Sequence, residues 1–422
     1  MSQLQLSIII PTLNERDNLA ELVPELHRSI PSTVTEYEIL IVDGNSDDGT
    51  PQLTSHLEAK VIYQLKPGYG GALEAGFAHA KGEYILTLDA DLSHPPSFVP
   101  TMWKARQEAE IVIASRYAQG GSASMPWTRR LLSRILNSVF IHGLSLPVSD
   151  ISSGFRLYNS SVLHSISLSS SHFDVLEEIL IRCHADGWRI AEVPFQYQPR
   201  RSGRSHAKLL QLGWAFLKTF VRMWKLRNSI DSADYDYRAF DSLIPLQRYW
   251  QRERHRIVTQ FAGGAGRTLD IGCGSSHIIL DLDNAIGLDI QIRKLRFVRN
   301  FGGQGIAGSA FALPFADKSF DCVVSSQVIE HLPLDQRLFA ELERVLQPGG
   351  QLIIGTPDYG GIVWPIMEFL YARLAPGGYA DEHITHYTRK SLLDTLESHG
   401  FLHQVTRWIA RGEMIAKCIK KA

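Results

Sequence analysis

The chain has 422 residues, of which 44% are apolar, 21% charged and 9% aromatic, and its formal net charge is −1. That length exceeds one ordinary core and predicts two or three domains. The near-zero charge excludes a global attraction to nucleic acid or to anionic membranes, so any such attraction has to be local. The four cysteines (Cys183, Cys273, Cys322, Cys418) stand apart with no CxxC spacing, which predicts reduced thiols in a cytoplasmic setting. The opening MSQLQLSIIIPTLNE has a short apolar run without a basic lead and is not expected to be a signal peptide. No uncharged apolar stretch reaches the length that spans a bilayer.

Apolar runs at 6–10, 38–42, 61–64, 84–88 and 111–115 predict strands, and the stretches 17–29, 51–58, 71–80 and 97–108 predict helices. This alternation predicts an α/β domain with a parallel sheet covered on both faces. Ligands of such sheets collect beyond the carboxyl ends of the strands. Four polar clusters fall there in succession: PTLNE (11–15), VDGNSDDGT (42–50), KPGYGGALEAG (66–76) and LTLDADLSH (86–94). Gly68, Gly70 and Gly71 allow a backbone to pass close to a ligand. No GxxxxGK[ST] phosphate cradle occurs. Asp89 and Asp91, two apart, are expected to turn both carboxylates to one side, where burial without a cation would be costly. Paired carboxylates are hard oxygen ligands suited to Mg²⁺ or Mn²⁺, and such an ion stabilises a departing diphosphate. Asp43 is then left to accept hydrogen bonds from a nucleobase or ribose.

With SRY (115–117), SDISSGFRLY (149–158), EVPF (192–195) and RRSGRS (200–205), these clusters resemble inverting family 2 glycosyltransferases of the GT-A fold. Within that family the similarity is to dolichyl- and polyprenyl-phosphate mannosyltransferases, over residues 6–227. The resemblance implies that Pro11, Glu15 and Asp43 hold the nucleoside, and Asp89 and Asp91 the metal and diphosphate, with Asp91 counted as catalytic. It implies that Arg116 and Arg200 meet phosphates or the acceptor. The implied donor is a nucleotide-diphospho-sugar, GDP-mannose, and the implied acceptor a polyprenyl phosphate. Gly44 stands where the family has a second aspartate, and His206 where a lysine follows the serine. A polyprenyl phosphate is already ionised at neutral pH and needs little proton removal. A glycan or glycolipid hydroxyl would need a base, for which Asp150 is the first candidate and Glu178 the second.

Residues 193–230 hold no Asp or Glu but eight Lys or Arg. Within them LLQLGWAFLKTFVRMWKL sets Lys218, Arg222 and Lys225 on one helical face, with Leu217, Phe220, Val221 and Trp224 mostly on another. Such a helix suits an anionic membrane surface, giving peripheral association with the cytoplasmic face; it equally suits packing on its own domain with snorkelling lysines. The polar, acidic and aromatic segment 228–245 has no period and reads as a linker, so the first domain is expected to occupy 1–227 and the second 246–422.

The second half repeats the βα rhythm, with strands expected at 268–271, 285–289, 320–325 and 351–356 and helices at 246–261, 335–346 and 390–399. RTLDIGCGSSHIIL (267–280) is a strand, a glycine turn and a helix, with His277 where a dinucleotide fingerprint needs a third glycine. With GLDI, LPFADKSFDCVVSSQVIEHL (313–332), RVLQPGGQLIIGTPD (344–358) and EHITHYTRKSLLDTLESHGF (382–401), it resembles the Rossmann-like class I methyltransferases that use S-adenosyl-L-methionine (SAM). The resemblance assigns Asp270, Gly272, Gly274 and Asp289 to the methyl donor, Asp289 through the ribose hydroxyls. Ser276 and Ser309 depart from a glycine and an aspartate common in that group. The implied methyl acceptor is a sugar, lipid or small molecule. Methylation of a hydroxyl needs a base, and His331, His383 and His386 are candidates, with His383 preferred. The whole reads as a bifunctional enzyme; the alternative is that one half is only a binding module.

Overall fold

A run that is apolar at nearly every position belongs at the centre of a parallel sheet, where both faces are covered, and LSIIIPT takes that place. The computed structural model describes residues 4–199, 209–374 and 383–422. The chain divides into two units, Met1–His184 with Trp188–Trp224, and Ala185–Gly187 with Lys225–Ala422.

The strands of the first unit are β1 (Leu6–Thr12), β2 (Tyr37–Asp43), β3 (Lys60–Tyr63), β4 (Tyr84–Thr87), β5 (Ile111–Ser115), the short β6 (Ser122–Ala123), β7 (Arg156–Asn159), β8 (Ile190–Pro194) and the short β9 (Gln196–Tyr197). Seven of them form one sheet in the order β3-β2-β1-β4-β7-β5-β8. The pairs are parallel except where β7 runs against β4 and β5. The helix Arg16–Ser29 buries Leu19, Leu22, Val23 and Leu26 on one stripe against Ile8, Ile10 and Ile41. Each such side chain contributes roughly 1.5–3 kcal/mol. The order reverses between β1 and β4, and that switch point is where an open sheet binds its ligand.

The second unit holds β10 (Thr268–Ile271), β11 (Ala285–Asp289), β12 (Gln304–Ala307), β13 (Phe320–Ser326), β14 (Leu346–Pro357), β15 (Phe401–Ile409) and β16 (Glu413–Lys420). Its sheet has the order β12-β11-β10-β13-β14-β16-β15, parallel through β14, with β16 antiparallel to both of its neighbours. Both units are therefore α/β, with the switch point of the second between β10 and β13. Segment 228–245, expected to be a linker, instead contains the helix Tyr235–Phe240 within the second unit. The helix Pro245–Ala262 is locked to β16 through a buried pair: Arg254 donates to both Glu413 oxygens at 2.8 and 2.7 Å, and Trp250 Nε1 donates to Glu413 at 2.5 Å.

Among the described residues no helix is long and apolar enough to cross a membrane. All four cysteines are buried, and none is in a disulfide.

Candidate functional sites

At the first switch point, β4 stops at Thr87, so Asp89 and Asp91 stand in a turn rather than on the extended strand expected from their spacing. The turn itself fixes the carboxylates. Leu92 takes a left-handed φ of 61°. Ser93, fully buried, donates its N–H (3.1 Å) and hydroxyl (2.5 Å) to Asp91 Oδ1. Tyr69 donates its hydroxyl to Asp89 Oδ1 at 3.0 Å. Asp89 N donates to His94 Nδ1 at 3.0 Å; a nitrogen that accepts an N–H carries no proton, so His94 is neutral, and burial lowers its pKa accordingly. Gly154 makes room here, since a Cβ would lie 2.8 Å from the Tyr69 hydroxyl and 3.3 Å from Asp89 Oδ1. The Asp89 side chain stays 35% exposed while Asp91 is buried behind it, and two carboxylates in one turn are a donor set that fits a hard divalent ion.

The nucleoside side is braced by its own loops. Asp43 ends β2 and accepts from Asn45 N, Ser46 N and the Ser46 hydroxyl at 3.0, 3.0 and 2.6 Å. Asn14 and Ser46 tie the loops after β1 and β2 together, N–H to hydroxyl at 2.8 Å, beside Pro11 at the end of β1. Glu15 accepts from the Asn18 amide. At Gly44, where the family has a second aspartate, an added Cβ would sit 3.3 Å from the Thr12 carbonyl, a tight contact at the β1 and β2 ends.

Asp150 and Glu178 are both braced by donors from the chain itself. Asp150 is fully buried, and both oxygens are gripped by Arg116, Nε to Oδ2 and Nη2 to Oδ1 at 2.7 Å each. Arg116 N and Ser152 N add bonds of 3.0 and 3.1 Å, while Glu192 of EVPF holds the backbone of Ser149 and Asp150. Burial pushes the Asp150 pKa up, but the Arg116 bonds outweigh it and hold the carboxyl below its usual range. Its carboxylate anchors the Arg116 guanidinium. Glu178, also fully buried, accepts from Ser169 N and Oγ, Ser170 N, Arg182 Nε and Arg222 Nη2 at 2.7–3.2 Å. These bonds overcome desolvation and lower its pKa to about 2. Arg222, expected on the basic face of its helix, is 36% exposed and turns its Nη2 to this buried carboxylate. Arg200 lies outside the described residues.

In the second unit a cavity of about 520 Å³ opens at the β10–β13 switch point. Asp270, the penultimate residue of β10, lines it, 3% exposed, with Oδ2 lacking any hydrogen-bond partner. Burial, and secondarily the charge of Asp289, push its pKa up to about 8. Gly272 and Gly274 have φ of 63° and 54°, and Cβ atoms there would meet Val328 at 2.3 Å and Asp236 at 2.6 Å. Asp289 accepts from Gly274 N at 2.9 Å and Gln291 N at 2.8 Å, and each oxygen keeps a second lone pair. An orphaned buried carboxylate beside a side-chain-free turn fits an ammonium-bearing ligand such as SAM.

Asp236, assigned no role from sequence, receives Lys294 Nζ at 2.8 Å and Ser275 N at 3.2 Å over the glycine turn. Its signal is hidden in the aperiodic DYDYRAF stretch. His383 lines the cavity, with Nδ1 2.8 Å from both Glu368 Oε1 and the Tyr359 hydroxyl. His331 lines it too, while His386 stacks on Tyr359 at 4.0 Å.

The profile of glycosyl transferase family 2 matches residues 7–167, and that of a methyltransferase domain matches 269–354. A dolichol-phosphate mannosyltransferase of Pyrococcus furiosus is 33% identical over 239 residues, which cover 54% of this chain and 66% of that protein. A polyprenol monophosphomannose synthase of Mycolicibacterium smegmatis is 33% identical over 241 residues, covering 54% of this chain and 89% of that protein. The chain belongs to glycosyl transferase family 2. Its family 2 half is fused to a methyltransferase domain, so two transferase domains share one chain. A solved SAM-dependent methyltransferase from Thermotoga maritima aligns with 44% of this chain and 94% of its own, at 20% identity and a TM-score of 0.37. In the family 2 half the GT-A sheet carries its acidic turn at the switch point; in the other half the Rossmann-like sheet carries the glycine turn at its own.

Proposed function

We propose that the first unit transfers a hexose, mannose from GDP-mannose, to a polyprenyl phosphate, and that the second unit methylates a sugar, lipid or small molecule from SAM. The observation that carries the acceptor assignment is the state of the two candidate bases. Asp150 and Glu178 are buried and saturated by donors, which disfavours a hydroxyl acceptor that must be deprotonated and supports a phosphate that arrives ionised. The curated relatives bear names of the same chemistry.

A bound Mg²⁺ or Mn²⁺ would neutralise the diphosphate as it leaves, held by Asp89 and Asp91. Tyr69 and Ser93 set the orientation of these carboxylates before any ligand arrives. Asp150 holds Arg116 through Nε and Nη2, leaving Nη1 for a phosphate oxygen. Asp43, Glu15 and Pro11 shape the nucleoside pocket. In the second unit SAM would supply the electrophilic methyl group; Asp270 would accept from its ammonium, Gly272 and Gly274 would leave room for it, and Asp289 would take the ribose hydroxyls.

Two helices of the first unit support delivery to a lipid-borne acceptor. Trp127–Leu144 exposes Trp127, Leu131, Ile135 and Val139, and Leu209–Arg227 exposes Trp214, Leu217, Val221 and Trp224. Phe140 joins them through edge contacts to Phe216 and Phe220. Neither helix carries an acidic residue, so apolar burial and cation attraction act together at an anionic bilayer. The deciding experiment supplies labelled GDP-mannose with polyprenyl phosphate. Label in a mild-acid-labile lipid product, absent for Asp91→Ala, supports the reading; label in an acid-stable glycan overturns it.

A further inference from the structure

Two histidines on the wall of the methyltransferase cavity, His331 and His383, meet a buried carboxylate in a cluster that the donor site does not use. Glu330 and His331 end the turn Ile329–His331 beyond β13, and His383 opens the segment that returns to it. The N–H groups of Ile384 and Thr385 donate to the Glu330 carbonyl at 2.8 and 3.0 Å, and the Thr385 hydroxyl donates to the Leu332 carbonyl at 2.6 Å. These bonds staple the two segments, and one ligating atom from each of Glu330, His331 and His383 lies within 4.8 Å of the others.

The side chains are prepared for a cation. Glu330 is fully buried; Oε2 accepts from the Thr356 hydroxyl at 3.1 Å, and Oε1 has no hydrogen-bond partner. A buried carboxylate oxygen without a partner calls for a counter-charge. His383 Nδ1 is held by Glu368 Oε1 and the Tyr359 hydroxyl, which leaves Nε2 as the nitrogen with a lone pair to give. A carboxylate on the far nitrogen is the device that orients and strengthens metal-ligating imidazoles.

We propose that Glu330, His331 and His383 bind a first-row divalent transition ion, with Glu368 as the orienting partner of His383. Two imidazoles and one carboxylate favour Zn²⁺, Mn²⁺, Fe²⁺ or Co²⁺ over Mg²⁺ and Ca²⁺. Because His331 and His383 line the cavity, a bound ion would be open to the methyl acceptor there, and the acceptor chemistry we assign to it is a hydroxyl or a diol, which the ion would make more acidic. This assignment of the acceptor rests on the methyl-transfer reading; the ion site itself does not.

The test uses the full chain with Asp89→Ala and Asp91→Ala, so that the other carboxylate pair is silent. It is equilibrated with Zn²⁺, dialysed against metal-free buffer, and examined by elemental analysis and zinc X-ray absorption. About one zinc per chain with imidazole scattering is expected. Retention is expected to vanish with His331→Gln and His383→Gln together, and affinity to fall about 10–100-fold with Glu368→Gln. An unchanged thermal transition shows that these variants still fold. No retained zinc in the parent, oxygen-only ligation, or full retention in the double histidine variant overturns the site. Calorimetry with SAM separates the two readings. Donor binding without zinc binding removes this site and leaves methyl transfer standing. Zinc binding without donor binding does the reverse.

Discussion

Asp270→Asn tests whether the orphaned carboxylate is kept for a cationic ligand. In the free protein Asp270 has an ordinary pKa of 3.8 raised to about 8 by burial and by Asp289. Between these values the folded chain holds a proton that the unfolded chain has released. Folding stability therefore falls as pH rises from about 4 to 8. At pH 7.5 the handicap reaches ~5 kcal/mol at most, and water in the open cavity reduces what is measured. Asparagine removes it. The second unit of the variant should melt higher than wild type at pH 7.5 by several degrees, at ~2–4 °C per kcal/mol for a unit of this size. The gap should narrow steadily toward pH 5.

Binding should move the other way. An ammonium beside Asp270 draws the carboxyl into its charged form, so SAM binding to wild type should release a proton. Affinity should rise up to about tenfold per pH unit between pH 6 and 7.5, where the donor ammonium itself stays charged. The Asp270→Asn variant should lose most of the affinity and all of this pH dependence. Differential scanning calorimetry and titration calorimetry in two buffers of different ionisation enthalpy measure both effects. A melting gap independent of pH, or undiminished affinity in the variant, refutes the reasoning.

Gly272→Ala should lower the melting temperature of the second unit and abolish SAM binding, because its Cβ would sit 2.3 Å from Val328 at a φ of 63°; such strain costs about 1–3 kcal/mol. Asp150→Asn should destabilise the first unit by roughly 3–5 kcal/mol by leaving Arg116 buried without its counter-charge, read by denaturant melts. Since the folded pKa of Asp150 is depressed, its contribution is present above pH 4 and is lost as pH falls through that lower value. Asp91→Ala should reduce sugar transfer by about 10²-fold or more, with SAM affinity unchanged; a full transfer rate excludes the metal role. Leu217→Glu with Trp224→Glu should detach the protein from anionic vesicles in co-sedimentation, and unchanged binding removes the membrane face.

What the sequence reveals depends on how local the cause is. LSIIIPT and the LTLD run read as buried strands because burial on both faces demands apolar residues in succession. The glycine turn at 272–274 is legible because only glycine accepts that backbone so close to Val328. Strands β7, β8, β15 and β16 are not among the elements expected from sequence. FLHQVTRWI pairs on one side only and carries polar residues outward, so its pattern lacks the continuous apolar run. The bracing of Asp150 is not legible because its partner, Arg116, lies 34 residues away, and nothing in SDISSGF declares that both oxygens are taken. Asp236 escapes notice because its role comes from packing over a distant turn rather than from any local period.

The separation of bracing carboxylates from ligand-seeking ones follows from donors, not from residue type. Asp150, Glu178, Asp270 and Glu330 are all buried acids near a switch point or cavity. The first two are surrounded by guanidinium, hydroxyl and backbone donors, and their pKa values fall, that of Glu178 to about 2. The last two each keep an oxygen that nothing in the chain meets, and desolvation lifts both to about 8. A protein gains nothing in stability by burying such an oxygen unpaired. Asp270 lines the cavity and Glu330 adjoins His331 on its wall, and the persistence of both is therefore best accounted for by positively charged ligands that complete them, an ammonium at Asp270 and a metal ion at Glu330.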